Sequence, residues 1–85
     1  MPSLHDRTNE ELREIASMFH KEYGAPEPGD RVVVLQKEDT YYCLLDRGIL
    51  IDTLFWVRFD DPAYHGDGHW SVPAHYLIKD IWREI

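Results

Sequence analysis

Eighty-five residues with 44% hydrophobic content make one domain with one modest core. Sixteen acidic against nine basic residues leave a net charge of −7, which argues against direct binding to a phosphate backbone and favours solubility, basic protein partners or occupation of a nucleic-acid-binding cleft. No run of ~18 apolar residues offers a membrane span, the charged start MPSLHDRTNEELREI lacks the apolar stretch of a signal peptide, and the lone Cys43 forms no internal disulfide, so a cytoplasmic setting is expected.

Residues 1–7 carry no periodic pattern and read as a mobile lead. A helix is expected over residues 9–23. Thr8 and Glu11 have the spacing of a capping box, in which hydroxyl and carboxylate each satisfy a free backbone amide. Leu12, Ile15, Ala16, Phe19 and Tyr23 recur at three- and four-residue steps and form one apolar stripe, with Met18 beside it. Gly24 supplies a left-handed cap and Pro26 prevents continuation. An isolated helix of this length is marginal in water, so the stripe must dock, either on the domain that follows or on a partner.

The connector APEPGD, residues 25–30, ends in a Pro-Gly turn. Residues 31–36, with Val32, Val33 and Val34, read as a strand. Residues 37–40 read as a polar turn, and Tyr41 to Leu45 as a second strand with Cys43 as a small core residue. Asp46, Arg47 and Gly48 read as a turn in which the glycine takes a positive φ.

From Ile49 the chain alternates. Ile49, Ile51, Thr53, Phe55, Val57 and Phe59 share one parity, and Leu50, Asp52, Leu54, Trp56, Arg58 and Asp60 share the other. The first set is expected to face the core and the second to face outward, in one long strand or in two with a bend near Asp52. Phe55, Val57 and Phe59 should therefore be buried. Asp60, Asp61 and Pro62 end the stretch, residues 63–68 form a loop, and His69 to Val72 is a strand stopped by Pro73. In the tail, Leu77, Ile78, Ile81, Trp82 and Ile85 fit a helical stripe, while a short turn and a last strand also fit. The expected organisation is a helical segment over 1–25 and a β-domain over 26–85, together one compact unit.

Three pieces carry a resemblance: PGDRVVVL at 28–35, RGILIDTLFWVRFDD at 47–61, and WSVPAHYLI at 70–78. They resemble the opening turn and first strand, the glycine-started hairpin with a V-x-F ending, and the closing V-P-x-x-Y segment of the SH3-like barrels, the group of SH3, Tudor-like and related small bacterial domains. The A-L-Y-D-Y opening of signalling SH3 domains is absent; VVVLQKEDTYY stands in that region. The resemblance implies a mainly β fold with one N-terminal helix, an SH3-like five-stranded antiparallel barrel, and recognition before catalysis. It also implies that Pro73 and Tyr76 match positions lining the SH3 peptide groove, with Trp56 a poorer match.

Three constellations stand out. The aromatics Tyr41, Tyr42, Trp56, Tyr64, Trp70 and Tyr76 include one, Trp56, on the outward parity beside Arg58. Such an indole either serves as an anchor for a partner or packs beneath the N-terminal helix. His65-x-Asp67-x-His69, with His75 nearby, has donor types for zinc. His65 and Asp67 sit in a glycine-containing loop without cysteine ligands, so the chain is expected to fold without metal or other cofactor. The acids Glu10, Glu11, Glu14, Glu22, Glu38, Asp39, Asp60, Asp61 and Asp67 form either a solvated polar surface or an imitation of a nucleic-acid backbone. No Ser/His/Asp order, phosphate-cradling glycine loop or cysteine metal spacing is present, which points away from an enzyme.

The expected function is a non-enzymatic protein-binding module or regulatory adaptor. Its partner-binding residues would be Trp56, Arg58, Asp60, Asp61, Tyr64, Asp67, Pro73 and Tyr76, with the acids selecting a basic partner. The alternative is an acidic inhibitor that mimics nucleic acid and occupies a DNA- or RNA-binding protein.

Overall fold

A computed structural model describes residues 4–37, 42–60 and 69–81. The architecture is a small α+β fold in which one helix lies on a five-stranded antiparallel sheet.

Helix α1 runs Asn9–Tyr23, with the expected bounds. The Glu11 amide donates to Thr8 Oγ1 at 3.2 Å, and the Thr8 amide donates to Glu11 Oε1 at 3.2 Å, so the capping box is complete. The hydrogen bond from the Thr8 backbone, joined by one from the Arg7 guanidinium, holds the Glu11 carboxyl below its ordinary range. Residues 4–7 are anchored as well: a 3₁₀ turn spans Leu4–Asp6, Leu4 packs against the helix core, and Arg7 pairs with Glu11 at 3.0 Å. The mobile lead is thus corrected for these residues, because Leu4 has apolar surface to cover. At the far end Gly24 takes φ 87 with an extended ψ of 157, and its amide donates to the His20 carbonyl. A positive φ is used there, though not the left-handed helical cap.

The strands are β1 (Arg31–Val34), β2 (Arg47–Leu50), β3 (Trp56–Phe59), β4 (His69–Ser71) and β5 (Leu77–Lys79), in the order β4-β3-β2-β1-β5. Among the described residues no pairing joins β4 to β5, so the sheet is open and is not a closed barrel. The helix docks on the sheet, as its stripe requires: Leu12 and Ala16, with Ile15 and Phe19, pack against Val33, Leu35, Leu44 and Ile78. His20 Nε2 donates to the Leu77 carbonyl at 2.6 Å, and Asn9 exchanges two hydrogen bonds with the Lys37 backbone, at 2.8 and 3.3 Å.

The other side of the sheet holds the second core. Val32, Val34, Tyr42, Leu50, Val57, Phe59, Val72 and Leu77 are buried there, with Phe55, Trp70 and Tyr76 packed against them. Side chains from all five strands meet in this cluster, so the sheet curls around it. Strand β1 is buried on both faces, which is why three valines run in succession.

Several expectations need correction. Residues 42–45 are not a strand; Leu44 and Leu45 form a turn, Leu45 takes φ 70, and Tyr41 lies outside the described residues. The apolar run is satisfied without a ladder, because Tyr42 enters the inner core and Leu44 the helix core. Gly48 is a β2 residue and does not take a positive φ. A Cβ there would meet the Arg58 carbonyl oxygen at 2.4 Å, so glycine serves a close approach of two strands.

The stretch 49–59 is two strands joined by a turn at Asp52–Phe55. Asp52 Oδ1 accepts from the Leu54 amide at 2.9 Å, and Phe55 takes φ 63. Leu50 pairs with Val57 and Ile49 with Arg58, so odd positions of β2 face the same way as even positions of β3. The expected parity therefore holds only in β3. Val57 and Phe59 are buried, Phe55 is half-buried against the same core, Leu50 is buried, and Ile51 is exposed. In the tail, a 3₁₀ turn at Ala74–Tyr76 leads into β5, which replaces the helical alternative over 77–79.

Candidate functional site

The outer face of the sheet, the side that carries the helix, can be laid out in rows of directly opposed residues. The Ile51 amide donates to the Trp56 carbonyl, and Trp56 pairs with Ser71. Arg31 pairs with Ile49, Ile49 with Arg58, and Arg58 with His69. Val33 pairs with both Ile78 and Arg47, and the Arg47 carbonyl accepts from the Asp60 amide. Opposed side chains on antiparallel strands share a face. The helix covers Val33 and Ile78, and among the described residues no helix lies over the Ile49–Arg58–His69 and Trp56–Ser71 rows.

That bare region is apolar and cationic. Trp56 stands 41% exposed and Ile51 44% exposed, with Arg58 exposed and Ile49 half-buried beside them. Leu54, at the tip of the turn, is 72% exposed. Trp56 therefore does not pack beneath the helix.

The nearby carboxylates are committed. Asp60 takes the Arg31 guanidinium, and Asp80, whose side chain is fully buried, takes Arg47 at 3.5 Å. Asp52 Oδ1 caps the turn through the Leu54 and Trp56 amides. Among the described residues no carboxylate lies within ion-pair reach of Arg58.

Of the sequence-expected residues, Trp56 and Arg58 come together, with Asp60 at the rim. Tyr76 is half-buried against the inner core, its ring edge-on to His75 at 4.4 Å, and Pro73 is exposed at the start of the second 3₁₀ turn. Trp56 and Tyr76 thus belong to opposite sides of the sheet. Asp61, Tyr64 and Asp67 lie outside the described residues, as does His65 of the histidine set. Among the described residues no group of three metal-ligating side chains converges. Ile49 and Ile51 belong to the face although their parity suggested core; the Asp52 turn was the signal that would have placed them.

A separate groove of about 470 Å³ opens between the helix end and the edge of β1 and β5, lined by Tyr23, Asp30, Arg31, Lys79 and Asp80 among others. Its charges are largely neutralised internally, with Lys79 3.9 Å from Asp30 and Arg31 on Asp60. No described helix is long and apolar enough to cross a membrane. No protein-family model, curated protein or solved structure matches the chain, so the functional reading rests on the geometry of this face.

Proposed function

We propose that this chain is a non-enzymatic protein-binding module that docks its partner on the bare outer face of β2, β3 and β4. The observation that carries the proposal is Trp56, held on a paired strand and partly exposed while its neighbour Val57 is fully buried. A large ring on a rigid strand loses little entropy when covered, which is how a binding hot spot arises. Ile51 and Leu54 extend the apolar area, and Arg58 supplies a charged contact beside it. On helix α1, Glu10, Glu14 and Glu22 are interspersed with Arg13 and Lys21, which supports recognition through the sheet over imitation of a phosphate backbone.

Affinity capture from the native host with the intact chain and with Trp56→Ala, compared quantitatively, tests the proposal. At least one protein should be depleted on the variant, consistent with a hot-spot loss of ~2 kcal/mol or more. Identical captured sets, with the variant still folded, would remove Trp56 and this face from the function.

A further inference from the structure

We infer that the partner segment is acidic: an extended stretch in which a carboxylate two residues from an apolar or aromatic side chain takes Arg58 while the apolar group covers Trp56. This rests on the protein-binding role proposed above and names the chemistry of the partner: the net charge of −7 pointed to a basic protein, whereas the Trp56–Arg58 face is suited to an acidic segment.

Trp56 and Arg58 are two residues apart on one strand and project from the same face, so their side chains stand roughly 7 Å apart. A partner that covers the indole also takes water away from the guanidinium. A desolvated guanidinium without an acceptor is strongly unfavourable. Among the described residues no nearby carboxylate is in reserve: Asp60 is held by Arg31, Asp80 pairs with Arg47, and Asp52 accepts the amides of its own turn. A carboxylate of the partner supplies the acceptor.

A carboxylate meets the planar guanidinium in a bidentate geometry and adds specificity as well as attraction. An extended segment repeats its side-chain direction every second residue, which matches the Trp56–Arg58 spacing. A phosphate backbone offers an acceptor too, but a chain with net charge −7 repels a polyanion over a long range, whereas a single carboxylate is felt mainly at Arg58.

Selection of random peptides displayed on phage against the full chain, followed by titration of one selected synthetic peptide, tests this. Peptides enriched in an acid-x-apolar pattern are expected. Arg58→Glu should weaken the selected peptide at least tenfold, and replacing the peptide's acid by lysine should restore binding to that variant, a charge swap that a merely structural role would not produce. Arg58→Gln should give an intermediate loss, and both variants should melt near the parent because Arg58 is exposed.

Peptides that depend on Trp56 but are basic, or whose acid can be replaced by alanine without loss, would overturn the acidic partner while leaving the protein-binding role intact. If no selected peptide depends on Trp56, both proposals fail. Competition by a single-stranded oligonucleotide, with no peptide enrichment, would assign Arg58 to a phosphate instead.

Discussion

The outer surface of the sheet has two halves built from the same kind of backbone and finished differently. Over β1 and β5 it presents Val33, Leu35 and Ile78, and the helix stripe of Leu12, Ala16, Ile15 and Phe19 closes on them. Over β2, β3 and β4 it presents Ile49, Ile51, Trp56, Arg58, His69 and Ser71, and no described helix covers it. The first half is aliphatic and can be sealed by the chain itself. The second mixes aromatic and aliphatic surface with a guanidinium, a combination that the apolar helix stripe could not cover without burying an unpaired charge. On this half of the sheet the exposed apolar side chains Ile51 and Trp56 lie beside a charged neighbour, as expected of a surface suited to a partner with its own polar groups.

Val57→Asp places a carboxylate in the inner core shared by both halves, where Val57 is fully buried. The variant should lose its cooperative thermal transition by circular dichroism. A cooperative melt close to that of the parent would mean that β3 faces the other way.

A matched pair of truncations sharpens the contrast. Leu12→Ala empties a fully buried site beneath the helix and should cost ~2–5 kcal/mol in urea unfolding. Ile51→Ala on the bare half should cost roughly 0.5 kcal/mol, as for other surface substitutions. Equal losses would show that the two halves are covered alike.

Trp56→Ala carries a smaller expected cost to folding, about 1 kcal/mol or less, since the ring is only partly covered. A loss of ~3–5 kcal/mol would place it with truncated core aromatics and leave Pro73 and Tyr76 as the described candidates for recognition.

The smallest effect lies at the helix cap and depends on pH. The Glu11 carboxyl is lowered from its ordinary value of 4.5, first by the Thr8 backbone hydrogen bond and then by Arg7. A group whose folded value is depressed stabilises the fold above its unfolded value, and that contribution disappears as pH falls through the folded value. Thermal midpoints of the parent and Glu11→Gln should thus differ by a constant amount above pH 4.5 and converge in stronger acid. A difference that persists undiminished in acid would show that the carboxylate charge is not what the cap uses.

Features with local causes are legible in the residues themselves. Thr8 and Glu11 set the helix start, Gly24 and Pro26 set its end, and consecutive valines marked a strand; each depends on residues within a turn or two of one another. The outward placement of Trp56 and Arg58 followed from their alternation with Val57 and Phe59. Tertiary structure alone decided what depends on distant contacts. Whether Ile49 and Ile51 join that face hinges on the number of residues in the Asp52–Phe55 turn, because one residue more or less exchanges the two sides of a strand. Whether Asp60 is open to a partner hinges on Arg31, nearly thirty positions earlier. Which half of the sheet the helix covers is settled by the two cores competing for apolar surface across the whole chain, and no local pattern records the outcome of that competition.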